Sequence, residues 1–414
     1  TKGFNSLRNP ANSAYNTDTD GFSMESANAA LTYGLAPGHE VGLSAFHSDG
    51  RNRYDGGSSV ATRVRQYENA LTVQNHSVYL KNSITPDWNS TLRMGRSTDD
   101  STNYRDAAMT DVFRTDQNQF TWQNDIRLPI GKLLLAWESL KQNVSGTTNY
   151  PIKERRTRSW IAGWNGKLGK HRLQTSLRRD NSSQFDAKTT GNLGWGYQFS
   201  EQWRANASYG TAFKAPSFND LYYPLNFGYV GNPNLRPELA KSREIGMHYE
   251  TGRRRASAVW YMNQIDDLIS WSGVTSPVNV GKARLEGLTL SYASQYRHFD
   301  YDANYDYLDA KDAANGKRLG RRARHSAHFG LGQTIGDWRW RSEIQAVGSR
   351  FDDDANLKHL GGYSLVNLQT SRALKDNWTV FARANNIFGK KYEIVADFAT
   401  AGASVFVGLR YAPR

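Results

Sequence analysis

The 414-residue sequence has no cysteine, and it has no apolar run of about 18 residues, the length that a transmembrane helix needs. Without cysteine there are no disulfides and no thiolate metal sites, which is compatible with an oxidising compartment. The missing apolar run excludes an inner-membrane protein with helical spans. The first residues lack the apolar segment of a signal peptide, so we expect the chain as given to be mature, truncated or without its original start.

Hydrophobic residues make up 38% of the chain and the mean hydropathy is −0.70, so no large dry core is expected. A disordered chain is also excluded, because aromatic residues reach 12%, with 22 tyrosines and 12 tryptophans. This combination is typical of a membrane β-barrel, in which every second residue faces lipid and aromatic residues collect at both interfaces.

The net charge of +13 raises the question of nucleic-acid binding. The basic residues, however, alternate with apolar ones along predicted strands, as Arg339 and Arg341 do around Trp340. This spacing places the charges on one face of a sheet rather than in a basic tail. We therefore predict no nucleic-acid partner, and a positive charge that lines a lumen or faces anionic lipid and substrate phosphates.

Alternation of apolar and polar residues runs through the whole chain. In the last stretch Val405, Val407 and Leu409 fall on one face of an extended strand, and Gly408 and Arg410 fall on the other. Tight-turn residues separate the two members of each pair of stretches. We predict about 19 strands: 24–34, 40–49, 71–83, 89–98, 117–127, 131–143, 156–167, 170–180, 188–199, 202–213, 241–250, 253–264, 282–297, 299–310, 321–334, 337–350, 362–373, 377–388 and 401–411.

The predicted connections alternate in length, with a tight turn inside each pair and a long loop after it, for example 99–115 and 214–240. Short turns on one side and long loops on the other are typical of an outer-membrane barrel. The chain begins in a long-loop segment and ends on the opposite side, yet a closed barrel has an even number of strands and cannot expose an edge to lipid. We therefore predict an all-β, antiparallel transmembrane β-barrel, one domain at 1–414, with about 19 of roughly 22 strands and the first strands absent.

Four stretches carry a family resemblance, and they cover residues 209–216 (YGTAFKAP), 231–238 (GNPNLRPE), 279–287 (NVGKARLEG) and 385–392 (NNIFGKKY). In this order they resemble the barrel motifs of TonB-dependent outer-membrane receptors, which are 22-stranded barrels with an N-terminal plug. Gly281 and Gly287 flank a strand start where the backbone must bend or approach another segment closely. The resemblance implies that the plug is absent from this chain.

Within the family the chain looks most similar to cobalamin (vitamin B12) transporters, through residues 16–22, 180–185 and 319–323. The resemblance implies import by binding rather than catalysis. The partners that it implies are outer-membrane lipid and lipopolysaccharide, an N-terminal plug fragment, and the TonB–inner-membrane energising complex. The sequence also predicts no enzyme, because His325 and His328 lack a catalytic partner pattern and there is no glycine-rich phosphate loop.

The resemblance further implies a calcium site, whose candidate ligands are Asn16, Asp18, Asp20, Tyr54 and Asp55. Calcium prefers six to eight oxygen ligands, and residues two apart on an extended segment face the same side. The alternative is that the Asp-Thr-Asp-Gly segment is a solvated turn. Asn5 and Ala61 stand where the family has acidic residues, so we expect a weaker or single calcium site.

The substrate-binding residues that the resemblance implies are Arg321, Thr147 and Thr148. Arg321 is alternatively one member of a basic run that lines the lumen. An acidic stretch, 352–354, replaces an aromatic contact of the family, and it is either a solvated loop or another cation site. A set of aromatic residues either gathers ligand or packs its own loop: Tyr222, Tyr223, Phe227 and Tyr229. A siderophore or haem receptor, and a soluble β-rich adhesin or binding module, stay open as alternative functions.

Overall fold

The computed structural model describes residues 18–56, 65–226, 228–270, 275–374 and 377–412. It holds 21 strands and one short helix in these ranges, and 19 of the strands belong to one sheet. The prediction of an all-β chain with about 19 long strands is therefore confirmed. No helix of the described ranges is long and apolar enough to cross a membrane.

The first elements are β1 (Phe22–Ala36), β2 (His39–Tyr54), β3 (Tyr67–Thr85), β4 (Trp88–Arg105), β5 (Ala108–Leu128), β6 (Gly131–Gly146), β7 (Glu154–Leu168), β8 (His171–Ser182), β9 (Lys188–Gln198) and β10 (Trp203–Lys214). They are followed by α1 (Phe218–Tyr222), β11 (Glu238–Thr251), β12 (Arg254–Ser270), β13 (Val278–Tyr296), β14 (Phe299–Asp312), β15 (His325–Ile335) and β16 (Trp338–Val347). The last are β17 (Arg350–Phe351), β18 (His359–Leu360), β19 (Tyr363–Ala373), β20 (Trp378–Asn385) and β21 (Ser404–Tyr411).

The chain divides into two compact units. The first comprises the described residues of 1–195, 208–241 and 265–282, and in it β1 to β8 pair in sequence order, each antiparallel to the next. The second comprises 196–207, 242–264 and the described residues from 283 onward. In it β13 to β16 and then β19 to β21 pair in order, and β17 and β18 form a separate hairpin.

Each strand of the second unit presents an apolar and a charged face. Phe329 pairs with Ile344, and both side chains are more than a third exposed on the apolar face. On the opposite face Arg341 forms ion pairs of 2.8 Å with both Asp302 and Glu343. Period-two alternation therefore predicted the two faces correctly, because neighbouring side chains of a strand point to opposite sides.

The first unit also has an apolar and a polar face, with larger side chains on the apolar face. Trp137 packs against Trp160 on the next strand, at 6.5 Å between ring centroids. On the other face the Arg178 guanidinium donates to Glu138, to Asp180 and to the Ser159 hydroxyl, at 2.7–2.9 Å. Asp180 is only 2% exposed, because these side chains enclose it. A polar network therefore fills one face while aromatic residues cover the other.

The predicted alternation of short turns and long loops is confirmed with one exception, the loop 99–115. There β4 continues to Arg105 and β5 begins at Ala108. Only Asp106 and Ala107 form the turn, and both lie in the left-handed region, with φ of 53° and 66°. The polar side chains suggested a loop, but cross-strand bonds hold them in the sheet, since the Asn69 side chain donates to Ser101 at 2.8 Å and to Asn103 at 2.9 Å. Four predicted strand ends were also too long by three or four residues, because β15 begins at residue 325, β16 ends at 347, β20 ends at 385 and β21 begins at 404.

The terminal strands of the sheet are β1, which pairs with β2, and β21, which pairs with β20. Their side chains are largely exposed, and Val405 and Val407 are 72% and 75% exposed. The absence of the first strands and of a plug, and the single-domain assignment, stay predictions.

The buried network around Asp180 makes a stability prediction. Asp180→Ala is expected to lower the free energy of unfolding by about 3 kcal/mol, because it leaves the part-buried Arg178 without one of its two carboxylates. Urea unfolding of the protein in lipid vesicles measures the change. The control is Asp337→Ala, whose ion pair with Arg372 is exposed, and it is expected to cost less than about 1 kcal/mol. Equal losses in both variants would contradict the structural role of the network.

Candidate ligand and cation sites in the loops

Three of the predicted calcium ligands come together in the first unit. Oxygen atoms of Asp18, Asp20 and Asp55 all lie within 4.8 Å of one another. Asp55 is only 6% exposed, and one carboxylate oxygen of Asp18 and one of Asp55 are sealed from solvent. We call these three residues the acidic trio. Asn16 lies outside the described residues, as do Asn5 and Ala61.

Neighbouring chain segments fix the acidic trio in place. The Gln66 side chain donates to Asp18 at 2.7 Å, and the Gln66 backbone N–H donates to Asp106 at 3.0 Å. Arg65 adds an ion pair with the same Asp106 at 3.2 Å. The tip of the β4–β5 hairpin therefore supports the segment that leads into β3. Tyr54, the remaining predicted ligand, immediately precedes Asp55, and its ring packs against Tyr67 at 5.7 Å.

The chemistry of the acidic trio suits a hard cation. Two like charges 4 Å apart repel by about 1 kcal/mol in water and by about 4 kcal/mol at the effective dielectric of a protein surface. A bound divalent cation or protonation offsets this repulsion. Carboxylate oxygens are the ligands that Ca²⁺ prefers, so these residues fit the ion that the resemblance implies.

Arg321 lies in the second unit, between β14 and β15, and is fastened to the loop between β17 and β18. Its Nε donates to Asp352 at 2.8 Å, and its backbone N–H donates to the Phe351 carbonyl at 2.6 Å. The side chain is still 52% exposed. Arg321 has a positive φ of 61°, so the backbone turns sharply at this residue. The predicted ligand contact is therefore an accessible guanidinium with a fixed base.

The acidic stretch 352–354 fastens the two loops together. Asp352 accepts from Arg321, and Asp354 accepts from the Gly320 N–H at 3.0 Å. Asp353 accepts from the N–H groups of Leu357 and Lys358, at 3.0 and 2.7 Å. The N–H of Lys358 holds the pKa of the Asp353 carboxyl below its ordinary value. All three carboxylates bond to protein groups, so the stretch is not a loop whose carboxylates face only solvent.

Thr147 is a structural residue of the first unit. Its hydroxyl donates to Asp111, and it accepts from the Val112 N–H at 3.2 Å. Its own N–H donates to the Val112 carbonyl at 3.0 Å. These bonds tie the β6–β7 loop to β5. Thr148 is half-buried in the same loop. Substrate binding by either threonine stays a prediction.

Part of the aromatic loop packs against protein. Tyr222 and Tyr223 lie on a small loop core of Val144, Tyr150 and Phe218. The Tyr150 hydroxyl donates to Asn219 of α1, and burial of its ring raises the pKa of Tyr150 to about 12. A capping box starts the helix, since Ser217 and Asp220 bond to each other's backbone N–H. Phe227 lies outside the described residues, and Tyr229 is 51% exposed.

Two of the family motifs meet at the Asn279 side chain, a contact that the sequence interpretation missed. Its amide accepts from the Arg236 N–H at 2.9 Å and donates to the Arg236 carbonyl at 2.9 Å and to the Asp267 carbonyl at 2.7 Å. Nearby, Glu238 accepts from the Ile269 N–H at 3.0 Å. The Asn-Val-Gly and Arg-Pro-Glu stretches were the available signal, because each carries a polar side chain that can bond to the backbone of a connecting segment.

The paired strands, their two unlike faces and the polar loops define an outer-membrane β-barrel protein. A family model described as TonB dependent receptor-like, beta-barrel, matches residues 1–387. The chain belongs to this family, which consists of outer-membrane transporters. This membership places the chain in the outer membrane and overturns the soluble adhesin alternative.

The vitamin B12 transporter BtuB of Photobacterium profundum is 29% identical over 402 residues, which are 94% of this chain and 64% of that protein. The chain thus spans less than two thirds of the length of that relative. The solved structures share the fold. The ferric enterobactin receptor PfeA of Pseudomonas aeruginosa has a TM-score of 0.82 and 16% identity over 98% of this chain and 72% of its own. The FrpB iron transporter of Neisseria meningitidis has a TM-score of 0.79 and 13% identity over 99% and 76%.

Asn279 makes a local prediction. Asn279→Ala removes three hydrogen bonds to the backbone of Arg236 and Asp267 and is expected to lower the opening free energy of this segment by about 2 kcal/mol. Hydrogen exchange at the Arg236 amide reports the change, and it is expected to accelerate about 30-fold. Asn234→Ala, an exposed asparagine of the same loop, is the matched control. If exchange is unchanged in Asn279→Ala, the side chain does not hold the loop.

Proposed function

We propose that the chain is the barrel part of a TonB-dependent transporter that imports cobalamin across the outer membrane. The observation that carries the proposal is the 29% identity to a vitamin B12 transporter along 94% of the chain. The ferric enterobactin receptor and the iron transporter share less than 20% identity with the chain and support the fold alone. The remainder of the protein supplies the plug, through which the TonB–inner-membrane complex provides energy.

Transport of this kind depends on capture of the ligand by the loops rather than on bond chemistry. Arg321 contributes a planar guanidinium that can donate to an amide or phosphate oxygen of cobalamin. Its ion pair with Asp352 limits the rotamers of the side chain before the ligand arrives. A donor that is already ordered loses less conformational entropy on binding, which favours affinity.

The acidic trio is the calcium site of this proposal. Asp18, Asp20 and Asp55 would hold the ion through carboxylate oxygens. Bound calcium supplies positive charge that offsets the mutual repulsion of the three carboxylates. The segment that precedes β1 then stays against the end of β2, and the loops are ordered before cobalamin docks.

The cobalamin proposal predicts a specific effect at Arg321. Arg321→Ala in the full-length protein is expected to weaken cyanocobalamin binding about 10-fold, the loss of one charge-assisted hydrogen bond. Equilibrium binding in detergent measures it, with ferric enterobactin as a competitor that is expected to fail. Arg322→Ala is the control, since Arg322 is its neighbour in the basic run.

Two outcomes would count against this proposal. If Arg321→Ala and Arg322→Ala weaken cyanocobalamin binding equally, the basic run acts only through its positive charge. Displacement of cyanocobalamin by the ferric siderophore, or no cyanocobalamin binding at all, would favour the siderophore alternative for the family fold.

The calcium proposal predicts loss of metal binding in Asp55→Asn. Calorimetric titration with Ca²⁺ is expected to show at least about 10-fold weaker binding than in the parent protein, because a buried charged ligand is replaced by a neutral one. Calcium is also expected to raise the thermal midpoint of the parent, and chelation with EGTA to reverse the rise. Asp337→Asn, at an exposed turn, is the control. Unchanged titrations for Asp55→Asn would show that the acidic trio does not bind calcium.

A further inference from the structure

A groove runs along the apolar face of the second unit. Its floor is one row of paired residues, Tyr305, Ala327, Ala346 and Ser364, which lie side by side on β14, β15, β16 and β19. The three small side chains leave a trough beside the large ring of Tyr305. The groove has an upper part of about 600 Å³ and a lower part of about 390 Å³, which share Tyr305, Ala327 and Ala346.

The lower part of the groove is apolar. Leu290, Tyr292, Phe329 and Ile344 line it, and each of these side chains is 38–43% exposed. Because this face of the sheet carries the exposed apolar side chains, it is the face that contacts lipid in an outer-membrane barrel. The lower part therefore offers a hydrocarbon chain a channel between large side chains.

The upper part of the groove has a largely apolar lining but also holds polar groups and a positive charge. Lys390, His325 and Ser364 line it together with the Tyr305 ring, whose hydroxyl lies 2.8 Å from His325 Nδ1. Its lining contains no carboxylate. Among the described residues no carboxylate oxygen lies within 4 Å of Lys390 Nζ. The ammonium thus faces the groove region without an ion pair that would compensate its charge.

The backbone of Lys390 is held rigidly. Asn386, which is 4% exposed, accepts from the Lys390 N–H at 2.8 Å and donates to the Lys390 carbonyl at 2.9 Å. The ring of Tyr392, two residues further on, packs against Tyr363 at 4.2 Å. The base of the lysine side chain is therefore fixed beside the groove, while the side chain itself is exposed.

The groove lies at the outer edge of the apolar band. Trp338 follows the tight turn between β15 and β16, so it stands at the short-turn side, and Ala346 is eight residues further along β16. At about 3.4 Å per residue along a strand tilted by about 40°, Ala346 stands about 21 Å above Trp338 along the membrane normal. Gly348, which lines the upper part, stands about 26 Å above it, close to the apolar height of about 25 Å in such barrels. The upper part of the groove is therefore level with the lipid headgroups on the outward side, where the long loops lie.

We propose that this groove binds a phosphate-bearing lipid of the outer leaflet, with its phosphate at Lys390 and an acyl chain over Ala327 and Ala346. An amphipathic ligand matches the division of the groove into a cationic upper part and an apolar lower part. A free phosphate would leave the lower part empty. A zwitterionic lipid would gain less from the uncompensated lysine.

The test measures lipid A binding to the full-length protein in detergent by native mass spectrometry. Lys390→Gln is expected to weaken binding about 5-fold, the effect of one cationic side chain at an anionic lipid surface. Lys391→Gln is the matched control, because Lys391 is adjacent but does not line the groove. In a second variant, Ala346→Phe fills the trough without changing charge, and Ala162→Phe adds the same ring to the apolar face of β7 outside the groove.

The proposal expects weaker binding in Lys390→Gln and Ala346→Phe, little change in the two controls, and little binding of dephosphorylated lipid A or phosphatidylethanolamine. Inorganic phosphate at millimolar concentration is expected not to displace lipid A. Equal binding by all four variants, or full competition by inorganic phosphate, would overturn the proposal. These readouts do not involve cobalamin, so they stand apart from the test of the transport function.

Discussion

The structure depends on one constraint, which is that every backbone N–H and C=O within the hydrocarbon of a membrane needs a hydrogen-bond partner inside the protein. Antiparallel pairing of successive strands meets this requirement, and it accounts for the 19-stranded sheet. Pairing also forces neighbouring side chains to opposite faces. Phe329 and Ile344 therefore face lipid, while Arg341 and Asp302 form ion pairs on the other face. Mean hydropathy is low because only alternate residues are apolar.

Outside the sheet the same requirement is met by side chains. Asn279 bonds to the backbone of Arg236, Asp353 bonds to the N–H groups of its own loop, and Asn386 bonds to both backbone groups of Lys390. Short polar side chains suit this task because they reach nearby backbone at little entropic cost. The acidic trio differs from these loop contacts, because its three carboxylates lie beside one another. That difference is what distinguishes a candidate cation site from a fastened loop.

The fold was largely predictable because alternation is a local signal, while the site depends on contacts between distant segments. Strand bounds were wrong where polar residues continue in the sheet, as at 99–115, since cross-strand bonds from Asn69 to Ser101 and Asn103 are not visible in the sequence. Arg321 was predicted from a resemblance, but its ion pair with Asp352, 31 residues away, was not. Asp18, Asp20 and Asp55 were all candidate ligands from the resemblance, and the structure brings their carboxylate oxygens within 4.8 Å of one another. The packing of Tyr222 and Tyr223 on Phe218 required the folded loop.

The loops therefore contain two kinds of fastening with different consequences. Contacts such as Arg321 with Asp352 are internal to the chain and are present whatever the solution contains. In the proposed calcium site, the mutual repulsion of the acidic trio would make its contribution to loop order depend on an added cation. Linkage makes such a dependence reciprocal: if the cation orders loops that bind the ligand, the ligand must strengthen cation binding by the same factor. An outer-membrane receptor built in this way would have a stable wall and a capture surface whose order is conditional on its surroundings.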